Sequence, residues 1–350
     1  MERAQWKWLG ISIAFSVVVL VLVLYFTIDE STIDYLKKLD PYYLILALLV
    51  HMFSMVLWAL RLKFMARPLG YPVPFLHCLN MVNANLLIAA VTPSQAGGEP
   101  VRIHELHRAN VPIGDATAIV IMERILDGIV LGTIGAISAL LLWIGFAELD
   151  VDLATPMAVT WVLLSIFLVV FAYSVKNPEF LKSLLKKISR IIGKRWHPKK
   201  LEDALETIDR EVDNFNGALV HFTGHAKGSI GWGLLFTILF WVSEFSIASL
   251  ILMGLGEAPH LLESFIVQIV IAVIMMIPLT PGSSGVAELS ATSLYGLFVP
   301  SAIVGVFVVL WRLILYYSNI VIGLIATVVI VKREVVMRTL KSTTDKIRRN

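Results

Sequence analysis

The sequence predicts an all-α polytopic membrane protein, and three observations carry that expectation. Hydrophobic residues make up 57% of the 350-residue chain and charged residues only 16%, against roughly 45–50% and about 25% in soluble globular domains. The mean hydropathy is +0.80. The apolar residues gather in long runs, near the ~20 residues of a bilayer-crossing helix and well beyond a barrel strand. Together these exclude a cytosolic enzyme, a secreted disulfide scaffold and a disordered chain. The single cysteine, Cys78, leaves no internal disulfide and no multi-cysteine metal site. No metal and no cofactor are expected. The formal charge is +3, and the basic residues flank apolar spans, which accounts for them without a nucleic-acid partner.

Six full spans follow in order, near 8–28, 42–60, 115–146, 155–175, 230–253 and 302–331. The first follows Arg3 and Lys7, is longer than a signal-peptide core and ends at Tyr25-Phe26-Thr27-Ile28-Asp29 without small cleavage-site residues, so it reads as a retained span. Trp6, Trp8, Tyr42, Tyr43, Trp58 and Arg61 read as interface anchors. Two shorter apolar stretches, 75–91 and 263–279, run into Thr-Pro turns followed by glycine. Sixteen helical residues cover roughly 24 Å, short of about 30 Å of hydrocarbon. Such interrupted segments predict re-entrant hairpins or broken helices, over 75–114 and 263–300.

Lysine and arginine counts orient the spans. The stretch 61–114 holds five, the loop 176–229 eleven and the tail 332–350 seven, whereas 147–154 and 254–262 hold none. Both termini and both basic loops are therefore expected in the cytoplasm of a plasma-membrane protein. Six crossings fit if the first hairpin enters from the cytoplasm and the second from outside. The 176–229 insert carries two amphipathic stretches, one through Phe180, Leu184 and Ile188 and one through Leu205, Val212, Phe215 and Leu219. With its basic residues it reads as interfacial helices on an anionic leaflet.

A shift of 188 residues aligns the chain with itself. Thr92-Pro93 falls on Thr280-Pro281, Gly97 on Gly285, Leu106 on Leu294, Val111-Pro112 on Val299-Pro300, Val120 on Val308 and Arg124 on Arg312. That is eight identities in 33 ungapped pairs, where chance gives about two. Each copy reads as two spans, a hairpin and a long span bearing an arginine: 1–147, then 155–333, with a basic tail over 334–350. Three crossings per copy invert the second against the first, a transporter architecture whose site lies between the halves.

The candidate site residues are those that break helices or place charge in the membrane. Thr92, Pro93, Gln95, Gly97, Gly98, Glu99 and Arg102 belong to the first hairpin, and Thr280, Pro281, Gly282, Ser283, Ser284, Gly285 and Glu288 to the second. Freed backbone N–H groups and helix starts at these breaks can be satisfied by the neighbouring polar side chains or can bind an anion such as a phosphate. Glu123, Arg124 and Asp127 lie in the third span, Glu244 in the fifth, and Arg312 and Tyr316 in the last. A charge at the bilayer centre costs roughly 2.5–3.5 kcal/mol on the lenient scale. The arginines can pair with Glu99, Glu244 or Glu288 to hold the halves together, or can receive an anionic headgroup while the acids balance them. Asn80, Asn83, Asn85, Tyr317 and Asn319 are further polar positions near these elements. His51 reads as a packed or hydrogen-bonded histidine ahead of a proton relay. His104-Glu105-Leu106-His107 lacks the H-E-x-x-H spacing and reads, with Arg102 and Arg108, as a charged stretch meeting water.

Three motifs together resemble a known family. P-S-Q-A-G-G-E-P-V-R (93–102), M-E-R-I-L-D (122–127) and P-L-T-P-G-S-S-G-V-A-E (278–288), with W-A-L-R (58–61), look like the lysylphosphatidylglycerol synthase transmembrane region, the flippase-like domain family. The resemblance covers roughly residues 10–330 and departs slightly at Gly97-Gly98, where many members have one glycine before the glutamate. It implies lipid translocation, with matching residues Pro93, Gly98, Glu99, Arg102, Glu123, Arg124, Asp127, Pro281, Gly282, Gly285 and Glu288. It implies a stand-alone member without the aminoacyltransferase domain. The expected activity is that of a flippase or scramblase moving an anionic lipid, a phospholipid or a polyprenyl-phosphate-linked glycolipid, through a polar cavity between the halves. Its partners are that lipid and the membrane lipids. No G-x-x-x-x-G-K-[ST] motif occurs, so movement is passive or coupled to a proton or sodium gradient. The oligomeric state is left open. A membrane-embedded enzyme acting on lipid-linked substrates and a transporter of a small soluble anion are the alternatives.

Overall fold

The structure of the protein is a computed structural model that describes residues 3–27, 30–92, 97–144, 162, 173, 177–192, 198–224, 227–275, 280 and 282–332. The expected span 155–175, apart from two single residues, lies outside these residues, as do the tail 334–350 and Pro93, Gln95 and Pro281 of the hairpin tips.

Among the described residues there are helices and no strand. In order they are α1 (Arg3–Thr27), α2 (Glu30–Lys37), α3 (Pro41–Ala66), α4 (Phe75–Ala89), α5 (Gly98–Arg108), α6 (Ile113–Trp143), α7 (Pro178–Ile192), α8 (Pro198–Gly224), α9 (Lys227–Gly254), α10 (Leu261–Met275), α11 (Val286–Tyr295) and α12 (Ser301–Arg312). A π-helical turn, Leu313–Tyr317, follows α12, and the helix runs on to 332. Among the described residues, three helical stretches are long and apolar enough to cross a membrane: Pro41–Leu69, Gly228–Gly254 and Ser301–Lys332. Phe75–Ala89 and Leu261–Met275 are apolar but 15 residues long, about 22 Å at the α-helical rise.

Local chemistry sets the helix ends. Asp40 caps α3 by accepting from the Tyr42 N–H at 2.9 Å, and Pro41 occupies the first turn, where its missing N–H costs nothing. The chain leaves α3 through Arg67-Pro68-Leu69 and Gly70, whose φ of +87° suits only glycine without strain. Pro74, Pro112 and Pro300 stand just before α4, α6 and α12, as expected of residues that disfavour helix before them and tolerate it after. The starts of α5 and α11 (Gly98, Val286) and of α6 and α12 (Ile113, Ser301) are each 188 residues apart, the interval of the sequence identities.

The apolar faces pack into two cores. One gathers Trp58, Leu62 and Met65 of α3, Met81 of α4, Ile119 and Leu126 of α6, Phe222 of α8 and Phe236 of α9. The other gathers Ile247 and Ile251 of α9, Val267 of α10, Ala291 of α11 and Phe307 of α12, with Leu20 of α1. The pair α3 and α9 joins the two, with Trp58 against Phe240 and Phe64 against Phe236. α1 comes so close to α12 that a Cβ on Gly305 would lie 2.0 Å from the Thr27 hydroxyl. Outward-facing Ile45, Leu49 and Phe53 of α3 and Val321, Ile325 and Val328 of the last helix stay exposed, as suits helices whose solvent is lipid.

The amphipathic insert is used differently from the expectation of leaflet binding along its whole length. Phe215, Leu219 and Phe222 of α8 are buried in the first core, and Val212 is buried as well. Gly114 allows the approach, since a Cβ there would meet the Glu211 carbonyl at 2.2 Å, and its N–H donates to the Glu211 carboxylate at 2.7 Å. Lys182 and Lys186 of α7 pair with Asp213 and Asp209 of α8. The second apolar face is therefore covered by protein, and the pairing uses two of the basic groups.

Candidate functional site

The charged residues collect in three places around one cavity. The first is built by α3, α5 and α6. Glu123 accepts from Arg61 Nε at 2.9 Å and from Arg102 Nη1 at 2.6 Å, so one carboxylate bridges two guanidinium groups. Arg61 Nη1 also donates to Asp127 at 2.6 Å and to the Thr237 hydroxyl at 3.1 Å, and the Trp241 ring N–H donates to Asp127 at 3.1 Å. Helical spacing explains the arrangement: Glu123 and Asp127 are four apart on one face of α6, and Arg61 lies between them. The Trp58 ring lies 5.1 Å from the Arg102 guanidinium and 5.9 Å from that of Arg124, adding cation–π attraction.

Arg124 is held more loosely than its neighbours. Its side chain is 37% exposed and lies 3.7 Å from Glu99 and 3.4 Å from Asp127. These are ion-pair separations beyond good hydrogen-bond length, and its Nε has no hydrogen-bond partner. Arg61, Arg102 and Arg124 balance Glu99, Glu123 and Asp127 in formal charge. Close burial of unpaired charge is thereby avoided, as it must be in a membrane interior.

The second place is built by α1, the turn before α11, and α12. Glu288 is fully buried. Its carboxylate accepts from the Gly285 N–H at 2.6 Å and from the Ser16 hydroxyl at 2.6 Å, and lies 2.9 Å from Arg312 Nε. Arg312 Nη2 donates to the Ser284 hydroxyl at 3.2 Å, and its guanidinium stacks 3.9 Å from the Tyr316 ring centre. The helix start that the sequence offers to a phosphate is thus occupied by the chain's own carboxylate.

The turn after α4 and the turn before α11 meet. Gly282 N–H donates to the Thr92 carbonyl at 3.0 Å, and the Tyr316 hydroxyl donates to the Ala90 carbonyl at 3.2 Å. Gly282 has φ +59°, and a Cβ there would stand 2.3 Å from the Ala90 oxygen. Only glycine fits. Ser283, also at positive φ, is buried and donates to the Met275 carbonyl at 3.1 Å. Thr92 accepts from the Gly97 N–H at 2.9 Å, Gly98 sits against Asn85, and Thr280 donates to the Ser284 carbonyl at 2.7 Å.

The third place is a triad. His51 of α3 lies with Nδ1 2.9 Å from Glu244 of α9 and with Nε2 3.0 Å from Asn319 of the last helix. Glu244 also accepts from the Ser54 hydroxyl.

A cavity of about 540 Å³ connects the three. His51, Glu99, Arg124, Glu244, Arg312 and Asn319 line it, with an apolar wall that includes Leu131, Phe240 and Ile271. Both arginines at the 188-residue interval border it. The structure therefore brings together Glu99, Glu123, Arg124, Asp127, Glu244, Arg312 and Tyr316 at or beside one cavity. It places Glu288, Arg102 and the turn residues behind the wall as supports.

Some expectations change. Trp58 and Arg61 are not interface anchors: both are buried, and Arg61 organises the first cluster. The helix runs to Ala66, so Arg61 lies more than a turn inside it. Arg102 and Glu105 do not meet water; both are buried, Arg102 completely. Glu244 pairs with His51 and not with an arginine, because α9 brings it opposite α3. Arg124 takes Glu99 and Asp127, and Arg312 takes Glu288. Thr237, Trp241 and Ser16 were not singled out. A lone hydroxyl or indole in an apolar run carries no signal until its partner is known.

Apolar helices around a cavity lined by paired and half-paired charges define a polytopic membrane protein with an internal polar site. The chain belongs to the lysylphosphatidylglycerol synthase TM region family, whose model matches residues 8–323. It is 35% identical over 317 residues to a UPF0104 membrane protein of Archaeoglobus fulgidus, covering 90% of this chain and 95% of that one. It is 26% identical over 326 residues to a UPF0104 membrane protein of Methanocaldococcus jannaschii, covering 91% and 93%. A UPF0104 membrane protein of Pyrococcus horikoshii is 24% identical over 290 residues, covering 81% and 85%.

Proposed function

We propose that the protein moves an anionic lipid across the plasma membrane, as a flippase or scramblase, with the headgroup passing through the cavity and the tails remaining in lipid. The observation that carries this reading is Arg124. It is the cavity-lining arginine whose ion pairs are long, so it can turn to a phosphate without first breaking a tight buried pair. Arg312 faces the same cavity from the other group of helices and takes the phosphate's second side. Glu99 lies between Arg124 and Arg102 and balances Arg124 when the cavity is empty.

In the same reading the two groups of helices are inverted repeats. The segments 75–114 and 263–300 are re-entrant hairpins entering from the cytoplasm and from outside, and both termini are cytoplasmic. The coincident helix starts and the contact between Gly282 and Thr92 support this arrangement. Separation of the two turns would open the cavity to one side at a time. The lipid is a phospholipid or a polyprenyl-phosphate-linked glycolipid.

The experiment is reconstitution in liposomes with headgroup-labelled phosphatidylglycerol, phosphatidylcholine and a polyprenyl phosphate, with a membrane-impermeant quencher added outside. The reading expects selective loss of protected label for an anionic lipid, slowed in Arg124→Ala and Arg312→Ala. Equal movement of all three lipids, or none in a monodisperse sample, would count against it.

A further inference from the structure

We propose that His51 and Glu244 form a proton-binding site, and that a proton bound there travels with the anionic headgroup. The proton site stands on its own geometry; its coupling to transport rests on the reading just given.

Both ring nitrogens of His51 face oxygen. Nδ1 is 2.9 Å from a Glu244 carboxylate oxygen and Nε2 is 3.0 Å from Asn319 Oδ1. Asn319 cannot simply turn its amide round, because its Nδ2 donates to the Leu315 carbonyl at 2.6 Å. With Glu244 ionised, two acceptors require two N–H donors, and only the imidazolium has both. The Asn319 orientation is assigned from this network. The ring is 1% exposed, while Glu244 is 16% exposed and lines the cavity. The carboxylate is thus the wet end through which a proton enters and leaves.

The groups around the ring set the direction of coupling. Glu244 faces it from α9, and Ser54 of its own helix donates to the same carboxylate. The last helix contributes Asn319 directly, with Arg312 and Tyr316 on the shared cavity wall; α6 contributes Arg124 and Asp127, and α5 contributes Glu99. The arginines on the cavity wall, Arg61 of the same helix with Arg124 and Arg312, disfavour a further positive charge. An anion bound between them removes that penalty, so anion and proton favour each other, reciprocally.

A structural route for the coupling is present. The π-helical turn, Leu313–Tyr317, lies between Arg312 and Asn319. The carbonyls it disturbs are satisfied by side chains, Ile314 by Ser318 and Leu315 by Asn319. Such turns recur at functional sites. Loss of the Nδ1 proton would set a lone pair against the Glu244 carboxylate. The triad must then rearrange, and movement of Asn319 passes through the turn to Arg312.

The test uses the full chain with 15N-labelled histidine in phosphatidylcholine nanodiscs, with and without phosphatidylglycerol. The chain has eight histidines, so His51→Gln identifies the ring signals. The expected spectrum at neutral pH is a doubly protonated His51 whose deprotonation moves to higher pH when phosphatidylglycerol is present. Glu244→Gln should abolish that protonation. Asn319→Asp, which places a second carboxylate on Nε2, should raise the deprotonation midpoint by about one pH unit or more. A singly protonated ring at neutral pH, or a midpoint that ignores all these changes, would overturn the site. Liposomes containing an entrapped pH indicator and labelled phosphatidylglycerol test the coupling. Lipid movement with no accompanying proton movement would overturn the coupling alone. If no lipid moves, the function proposed above fails and the nanodisc titration still decides the proton site.

Discussion

Arg124 and Arg312 lie 188 residues apart, the interval of the sequence identities, and the molecule treats them differently. Around Arg312 the chain uses two charges and three hydroxyl or amide groups: Glu288, Ser16, Ser284 and the Gly285 N–H. Around Arg124 it uses six charges, and the tight bonds go to Arg61 and Arg102 instead. A buried guanidinium close against a carboxylate is costly to disturb, since removing either partner strands a charge. One with long pairs facing a cavity is available. The difference teaches that two arginines at this interval need not be held alike: both border the cavity, but Arg312 lies close against its carboxylate whereas Arg124 is held loosely.

The comparison breaks most readily at Glu123. Its carboxylate serves both Arg61 and Arg102, and both are buried. Glu123→Gln should therefore lose about 3–5 kcal/mol of stability, read as a lower midpoint of thermal unfolding in detergent. Near-equality with wild type would mean that the first cluster is not a strut. Glu288→Gln should cost about 3 kcal/mol, because Ser284 and Tyr316 still hold Arg312. A larger loss than at Glu123 would reverse the ranking of the two sites.

Gly282→Ala probes where the turn before α11 touches the end of α4. A side chain there needs a left-handed residue to bear a Cβ and must clear the Ala90 oxygen at 2.3 Å. The expected loss is about 2 kcal/mol, from the left-handed backbone and the displaced turn together. A cysteine pair at Thr92 and Ser283 should cross-link in the wild-type background and less completely with Gly282→Ala. Unchanged cross-linking and an unchanged midpoint would show that the turns do not depend on each other.

The sequence made much of this legible and missed the rest for physical reasons. Among the described residues, the long helices lie where the apolar runs are, and the short helices α4 and α10 lie where the Thr-Pro interruptions cut those runs. The charges were visible because charge in an apolar run is costly wherever it points. Their partners were not visible. Arg61 sat near the end of an apolar run, where an arginine commonly anchors at the interface, and only the continuation of α3 to Ala66 turned it inward. Glu244 looked like a partner for an arginine because nothing in one dimension places His51 opposite it. The apolar stripe of α8 has the same period whether lipid or α6 covers it, and Gly114 is the residue that decides.

Arg124→Ala is the smallest expected change in stability and the sharpest test of the comparison. The side chain is 37% exposed and its ion pairs are 3.4 and 3.7 Å long, so its removal should cost no more than about 1 kcal/mol. Glu99 and Asp127 keep Arg102, Arg61 and Trp241 as neighbours, and no buried carboxylate is stranded. Movement of labelled phosphatidylglycerol should nonetheless fall by about tenfold, the rate equivalent of 1.4 kcal/mol lost from a phosphate contact in the rate-limiting state. Arg124→Lys separates charge from shape: an ammonium keeps the charge but lacks the planar fork that grips a phosphate with two parallel bonds, so its rate should lie between alanine and wild type. An alanine variant that melts as early as Glu123→Gln would make Arg124 another strut. One that is stable and fast would take the open arginine out of the lipid's path.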